Sequence, residues 1–341
     1  MSSLLAPTAT PAVRKPAFEL AFGSGSADDW ARTLASVSVE AALAPAVDAA
    51  EIVLATRDDA PAVALDDKGK IALGFADDES VAVFKGSVRA VNRTVSGRTR
   101  VVASNEGAAL AAFRLDQAYE QQSAGEIVSD LASRAGLDAV VADDGAKLAA
   151  YVIDSRSSAW EHVARLAALS GFAAWVDPDR GLRFGPLQTG ASAQTFTYGE
   201  DVLELDALEA APTAGAVTVV GEGAAGSKGS DAWSWSAKDA APVTASAGAG
   251  DPALVVQAAA LRSSDTARAA AEGLSAKAKL GALTGRLLVS GAPKVAVGST
   301  IEVAGAPDDK LNGTWLVRGL RHKLVKARGY TTLLLVAKAD A

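Results

Sequence analysis

The sequence predicts an α+β protein in which two β-rich regions flank an insert that contains helices. Near both ends of the chain, apolar and polar residues alternate at the period of a strand. In the middle, apolar residues recur at helical spacing behind two capping-box motifs. We therefore expect an extended arm at 1–16, a first β-domain at 17–106, an α/β insert at 107–190 and a second β-domain at 191–341, the last with a helical insertion at 251–280.

Composition restricts the class of protein. The chain has 341 residues, which favours more than one domain. Hydrophobic residues make up 49% but aromatic residues only 5%, so small aliphatic side chains must fill most of the core. The net charge of -7 argues against general nucleic-acid binding, which requires clustered cations. The absence of cysteine excludes disulfides, thiolate catalysis and cysteine-ligated metals.

No segment of the sequence directs the chain into a membrane. The first residues lack the long apolar stretch of a signal peptide. No run of about 18 apolar residues, the length that a transmembrane helix requires, occurs anywhere. We therefore expect cytoplasmic synthesis and assembly, without stable membrane insertion.

The first β-region follows an arm in which Pro7, Pro11 and Pro16 oppose helix formation, because proline lacks a backbone N–H. Short runs then predict strands at 18–22, 51–54, 62–65, 70–73, 81–84, 88–95 and 99–104. Pairs of adjacent aspartates separate several of these runs, at 58–59, 66–67 and 77–78. Paired carboxylates can serve metal or acid–base chemistry, but at successive strand ends they are typical of turns.

The insert begins where the period becomes helical. Ser123 with Glu126 and Ser158 with Glu161 have the spacing of capping boxes, in which each side chain bonds the other residue's backbone N–H. The second predicted helix ends at Gly171, and a hairpin is predicted after it.

The second β-region contains predicted strands at 216–220, 232–236, 285–289, 300–303, 314–321 and 330–337. Asp251 followed by Pro252 resembles the start of a helix, with a cap and a first-turn proline. A helix is therefore predicted from Asp251 to about 262, and a second helical stretch over 265–279.

One glycine motif invites a catalytic interpretation. Gly221, Gly223 and Gly226 follow a predicted strand with the spacing of a dinucleotide-binding loop. That motif requires a helix next, whereas a loop and an alternating run with Trp233 and Trp235 follow here. A strand connection is favoured, and a nucleotide-dependent enzyme remains the alternative.

Other catalytic signals are weak. His162 and His322 are the only histidines, and neither belongs to a zinc-binding or nucleophile motif. We expect both to be structural. The many acidic residues leave a cell-wall hydrolase open, because a glycosidase needs only two suitably placed carboxylates. A carbohydrate-binding β-protein is a further alternative. The sequence predicts no catalytic residue, no cofactor and no metal site.

Charge is uneven near the C-terminus. Between Asp309 and Asp340 the sequence has no acidic residue. The cations of this stretch are Lys310, Arg318, Arg321, Lys323, Lys326, Arg328 and Lys338. They form either a solvated strand face or a docking face for an acidic partner.

Two groups of segments resemble the late control protein D family, the baseplate hubs of contractile phage tails and injection systems, which are related to the hub part of type VI secretion spikes. The first group covers an acidic-serine entry, a helix with an early tryptophan, a Gly-Phe stop and a hairpin that ends in Phe-Gly, at 151–155, 158–172 and 175–185. The second covers a Pro-to-Gly turn, an Asn-Gly strand start and a His strand beside a Gly-Tyr-x-Thr strand, at 285–293, 297–305, 312–317, 321–322 and 329–332.

The resemblance implies a structural subunit without enzymatic activity. In such hubs each chain contributes two tube-like β-barrel domains flanking the insert, so that a homotrimer forms a pseudo-sixfold ring between a hexameric inner tube and a trimeric spike. Expected partners are the chain itself, the tail tube protein, other baseplate proteins and, because no further domain follows Ala341, a separate spike protein. No specific nucleic acid is expected. The candidate family-motif or interface residues are Trp160, Gly171, Phe184, Gly298, Asn312, Gly313, Trp315, Arg318, Arg321, His322, Arg328, Gly329 and Tyr330.

Overall fold

A computed structural model describes residues 14–55, 60–187, 192–222 and 243–339. The fold is mostly β, with 48% of the described residues in strands and 18% in helices. The β-rich character predicted from the alternating sequence pattern is therefore confirmed. The arm before Arg14, Asp58 and Asp59, the glycines at 223 and 226, and the strand predicted at 232–236 lie outside the described residues.

The elements follow one another in three stretches. The first stretch contains β1 (Pro16–Phe22), α1 (Ala27–Thr33), β2 (Leu34–Ala42), β3 (Ala49–Leu54), β4 (Lys68–Phe75), β5 (Val81–Arg93) and β6 (Thr99–Asn105). The second contains α2 (Gly107–Ala112), β7 (Gln117–Ser123), α3 (Ala124–Arg134), β8 (Ala139–Val141), β9 (Lys147–Ile153), α4 (Ala159–Ser170), β10 (Ala173–Asp177) and β11 (Gly181–Gly185). The third contains β12 (Thr195–Thr197), β13 (Val202–Glu209), β14 (Ala216–Val220), β15 (Thr244–Gly248), β16 (Ala253–Gln257), α5 (Ser264–Lys279), β17 (Leu283–Ser290), β18 (Thr300–Ala304), β19 (Gly313–Val325) and β20 (Gly329–Lys338).

A single 12-stranded sheet contains strands from both ends of the chain. Its order is β1-β4-β5-β6-β3-β2-β19-β20-β17-β13, with β18 paired to β19 and β12 paired to β18. We call β1–β6 the N-terminal half and β12, β13 and β17–β20 the C-terminal half. Antiparallel pairing of β2 with β19 joins the halves, from Ala42 opposite Gly319 to Ser36 opposite Val325.

The expected pair of closed barrels is not confirmed. Among the described strands, the pairing path has open ends at β1 and β13, and no closed barrel forms. The physical reason is the β2–β19 contact. It joins β2, at the end of the N-terminal half, to the part of β19 that lies beyond its pairing with β18, so that the two halves continue into one sheet.

Each half nevertheless has its own apolar core. In the N-terminal half Trp30, Ile52 and Phe84 lie in one cluster of buried side chains. In the C-terminal half a separate cluster contains Trp315 and Phe196. The hairpin of β19, β20 and the turn at 326–328, which we call the C-terminal hairpin, contributes to both clusters.

The helices begin where their capping residues predicted. Ser123 caps α3 and Ser158 caps α4, each in a reciprocal capping box. At the end of α4, Gly171 adopts the left-handed conformation at φ 71°, and its N–H bonds the carbonyls of the last turn. These sequence predictions are confirmed.

A third core surrounds α3 and α4 and includes more of the chain than the insert. Trp160, Val163 and Leu166 of α4 lie in the same cluster as Val217 of β14 and Ala271 of α5. The small sheet β15-β14-β16 and α5 therefore pack with the helices of the insert. The alanine-rich face of α5 fits closely against α4 because neither helix has large side chains there.

One predicted strand and one predicted helix were wrong. Residues 62–65 form only an isolated bridge between Ala62 and Ser24. The stretch after Asp251 is not helical. Instead β16 pairs in parallel with β14 along its full length, since Leu254, Val255 and Val256 suit a strand once a partner strand is beside them. The helix over 265–279 is confirmed as α5, capped by Ser263.

Candidate functional site

The aromatic candidates lie in the interior of the chain. Trp160 is buried, and its Nε1 donates to the Ala46 carbonyl oxygen at 2.9 Å, which ties α4 to the β2–β3 turn. Trp315 is also buried, and its Nε1 donates to the Leu311 carbonyl oxygen at 3.0 Å. Phe184 packs edge-on against Phe172. These buried side chains stabilise the fold of the chain.

The small candidates shape turns and close contacts. Gly313 and Gly329 have φ values of 105° and 94°, in the region that favours glycine. A Cβ on Gly298 would lie 3.0 Å from the Trp175 ring, so this glycine lets a C-terminal loop contact the insert. Asn312 both donates to and accepts from the backbone of Ala306, at 3.0 and 2.8 Å. The Asn-Gly motif therefore fixes a loop before β19.

His322 belongs to a buried polar cluster in the C-terminal hairpin. Its Nδ1 lies 2.9 Å from the Tyr330 hydroxyl and 3.0 Å from the Thr332 hydroxyl. Thr332 also accepts from the Ala292 N–H at 2.9 Å. Tyr330 lies against Phe75 of the N-terminal half, with ring centroids 5.7 Å apart. The cluster thus sits where the two cores meet.

Burial determines the charge of this cluster. Desolvation lowers the pKa of His322 to about 3, so the ring stays neutral while its Nδ1 lies within hydrogen-bond distance of both hydroxyls. Burial also raises the pKa of the Tyr330 hydroxyl, which remains a donor. His162 is buried as well, and its ring nitrogens contact Tyr151 and the Asp154 carbonyl. Both histidines are thus buried and hydrogen-bonded within the chain.

Intramolecular contacts engage much of the predicted basic face. Arg321 forms an ion pair with Glu40 across the β2–β19 junction at 2.7 Å. Lys326 donates to the Ala31 carbonyl at 2.8 Å. Lys310 pairs with Glu209 at 2.8 Å, and Lys338 lies over the Trp315 ring and donates to the Asn312 carbonyl. Of these four cations, Arg321 and Lys326 connect the C-terminal hairpin to β2 and α1.

Three cations of the same stretch remain available to a partner. Arg318, Lys323 and Arg328 are exposed and have no ion pair with any described residue. Strand alternation directs Lys323 away from the core that contains Leu324. Of the seven cations considered for a docking face, these three are therefore the ones without an intramolecular partner among the described residues.

A cleft lies beside Arg318, between helices α4 and α5 and the face of the C-terminal half that points away from its core. Its volume is about 940 Å³. The sheet wall presents Leu208, Leu316 and Leu335, and the helix wall presents small residues and Leu274. No sequence motif predicts this cleft, because its walls come from segments far apart in the chain.

The buried carboxylate of Asp48 was also not predicted from the sequence. Asp48 accepts from the Ala42 N–H at 3.0 Å and from Asn105 Nδ2 at 2.7 Å. Asn105 in turn accepts from the Gly107 N–H at the start of α2. Desolvation raises the pKa of Asp48 to about 7. The pair joins the β2–β3 turn to the end of β6, and only the fold brings the two residues together.

The glycine motif lies largely outside the described residues. Gly221 follows β14, and the next described strand, β15, pairs antiparallel with β14. No group of three or more metal-ligating side chains occurs among the described residues. None of the described helices has the length and apolar character needed to cross a membrane.

Solved structures share this fold. The 43 kDa tail protein of prophage MuSo2 from Shewanella oneidensis has a TM-score of 0.70 at 13% identity, covering 96% of this chain and 99% of the other. A tail protein from Neisseria meningitidis has a TM-score of 0.71 at 14% identity, covering 95% and 97%. A type VI secretion component of E. coli, described as structurally similar to bacteriophage T4 tail proteins, has a TM-score of 0.60 at 12% identity, covering 96% and 77%.

At the sequence level, a family model described as the Alg8 N-terminal domain matches residues 67–326. No curated protein sequence matches the chain. The match to the family model covers β4–β6 of the N-terminal half, all of the insert and the C-terminal half except β20.

Proposed function

We propose that this chain, which belongs to the Alg8 N-terminal domain family, is a structural subunit of a phage tail or contractile injection particle, because its fold matches that of tail proteins. In this proposal it is a baseplate hub without enzymatic activity. Three copies form a pseudo-sixfold ring that joins the hexameric inner tube to a trimeric spike. Its partners are further copies of itself, the tube protein, a separate spike protein and other baseplate proteins.

The observation that carries this proposal is the extent of the structural match. The two tail proteins match over nearly the whole of both chains, so the likeness extends to the complete fold and is not limited to one domain. At this low identity the match describes the fold. The role follows from it as a proposal, because one fold can host several functions.

The arrangement of the cores also favours the proposal. One chain presents two β-rich units with separate cores on a continuous sheet, and three chains would present six. The open edges at β1 and β13 offer unpaired backbone groups, which a neighbouring subunit could bond. Leu203 on β13 is also exposed, as expected of a surface that another chain covers.

The test is assembly with defined partners. The chain would be produced alone and together with the tube and spike proteins encoded beside it, and the particles would be measured by mass photometry and averaged by electron microscopy. We expect a trimer with pseudo-sixfold density, at the latest when the partners are present. A chain that remains monomeric under both conditions, or that hydrolyses cell wall in a zymogram, contradicts the proposal.

A further inference from the structure

The cleft between α4, α5 and the C-terminal half has the properties of a preformed docking groove. Its far end is closed by a contact of two glycines, where a Cβ on Gly171 would lie 2.9 Å from the Gly273 Cα. A Cβ on Gly273 would lie only 2.2 Å from the Gly171 Cα. Since the backbones of α4 and α5 touch here, the helix wall is fixed in place relative to the rest of the insert.

The sheet wall of the cleft is apolar and partly exposed. Leu208 and Leu335 have 66% and 45% of their surface exposed, although large apolar side chains usually find cover. Thr284 lies opposite Leu208 in the sheet and Ala337 opposite Thr284, so the surface between β13 and β20 is continuous. This wall can bury apolar side chains of a ligand.

Charge at the cleft is one-sided. Its exposed cations are Lys277, Lys279, Arg286 and Arg318, and the acidic residue among its lining residues is Asp206. Asp206 is the cross-strand neighbour of Arg286. None of the four cations forms an ion pair with a described residue, although many other exposed cations of the chain do. The cleft therefore has an excess of unpaired positive charge beside an apolar wall.

We propose that this cleft binds an acidic amphipathic segment of a partner protein, with the apolar side chains of the segment against Leu208 and Leu335 and its carboxylates beside Arg286, Arg318 and Lys277. Charge complementarity selects the acidic partner, because a neutral or basic segment would leave the cations unpaired. The apolar wall selects an amphipathic segment over a soluble anion. The binding holds whether or not the chain forms a hub ring.

A defined peptide tests the proposal. The probe is a fluorescein-labelled peptide of leucine and glutamate with leucines at helical spacing, and binding to the full chain is followed by fluorescence anisotropy. We expect saturable binding that weakens with added salt. The matched peptide with lysine in place of glutamate should not bind. If the glutamate peptide does not bind, or if the lysine peptide binds equally well, the proposal is wrong.

Variants locate the binding. Arg286→Glu combined with Arg318→Glu should weaken the peptide affinity about tenfold or more. The control is Lys323→Glu combined with Arg328→Glu, which reverses two exposed, unpaired cations of the C-terminal hairpin that do not line the cleft. This control should bind as the wild type does. An equal loss in both double variants would mean that the peptide responds only to total charge.

A second variant works without changing charge. Ala168 lines the helix wall and is partly exposed, so Ala168→Leu narrows the cleft and should also reduce binding. Circular dichroism confirms that each variant keeps its fold. Competition by single-stranded DNA as strong as that by the unlabelled peptide would identify a general anion site and overturn the proposal. Loss of self-association in the Arg286 and Arg318 variant would identify a second copy as the occupant and would likewise overturn it.

Discussion

The N-terminal and C-terminal halves of the sheet each bury a tryptophan and an ionisable side chain, but they treat the polar atoms of those residues differently. In the C-terminal half, Trp315 and His322 both have hydrogen-bond partners. In the N-terminal half, Trp30 Nε1 has no partner among the described residues. Asp48 is buried as a carboxyl group whose ionisation is disfavoured. The two halves therefore differ in whether their buried indole N–H has a partner among the described residues.

The difference has a structural origin in the C-terminal hairpin. Leu324 and Tyr330 of this hairpin lie in the core of the N-terminal half, while Trp315 and Val336 lie in the core of the C-terminal half. One long hairpin thus completes both cores, so the two halves should unfold as one unit. Three predictions test this comparison.

The largest effect is expected at the two tryptophans. Replacement of Trp315 or Trp30 by alanine should lower the free energy of unfolding by about 3–5 kcal/mol in each case, because both are fully buried. Replacement of each tryptophan by phenylalanine distinguishes the two halves. Trp315→Phe should cost about 1 kcal/mol more than Trp30→Phe, since only Trp315 loses a hydrogen bond and leaves a carbonyl without its donor.

Urea denaturation followed by circular dichroism measures both pairs of variants. A single transition in every variant indicates that the halves unfold together. Two separate transitions in Trp315→Ala would show that the β2–β19 junction does not couple them. An equal cost for the two phenylalanine variants would contradict the assigned difference in hydrogen bonding.

The next effect is a pair of opposite pH dependences. The folded-state pKa of His322 lies below its ordinary value of 6.5, so its contribution to stability is complete above pH 6.5 and is lost as the pH falls toward 3. The folded-state pKa of Asp48 lies above its ordinary value of 3.8, so its contribution is complete below pH 3.8 and is lost as the pH rises toward 7. Each slope is at most about 1.4 kcal/mol per pH unit.

Between pH 5 and 6.5 the two slopes oppose each other in the wild-type chain. Asp48→Asn should remove one of them and leave a protein that loses stability toward acid. His322→Gln should leave a protein that loses stability toward neutral pH. The measurement is the free energy of unfolding of each variant minus that of the wild type at each pH, which cancels the exposed carboxylates. Parallel curves for wild type and both variants would disprove the two assignments.

The smallest effect is expected at the ion pair across the junction. Arg321 and Glu40 have side chains that are 50% and 56% exposed. Solvent screening should limit their coupling free energy to about 1 kcal/mol or less. A double-mutant cycle with Arg321→Ala and Glu40→Ala measures it. A coupling above about 2 kcal/mol would mean that charge, and not the strand pairing and shared cores, holds the halves together.

Much of the local structure could be predicted because its causes are local. The capping boxes at Ser123 and Ser158 placed α3 and α4, and alternation placed most strands of both halves. The predictions failed where a distant strand decided the outcome. Residues after Asp251 became β16 because β14 lies beside them. The strand β2 and the short helix α1, which has a capping box of its own at Ser26, were not predicted at all.

The candidate residues show the same division. Motif residues such as Trp160, Asn312 and Tyr330 were found from sequence, but the structure places them in cores and turns, where they serve the fold. The exposed cation Arg318 was found as one of a run. Its position in the cleft with Arg286 and Lys277 depends on the packing of α5 against the C-terminal half, which no local pattern specifies.

The sequence by itself determined the β-rich class, the starts of α3 and α4 and the absence of cysteine chemistry, because composition, capping and periodicity act between neighbours in the chain. Only the tertiary structure decided that the two β-regions share one sheet, that Asp48 meets Asn105, and that a cleft with unpaired cations opens beside α5. Each of these depends on contacts between residues far apart in sequence, and such contacts form through burial of surfaces whose partners no short segment encodes.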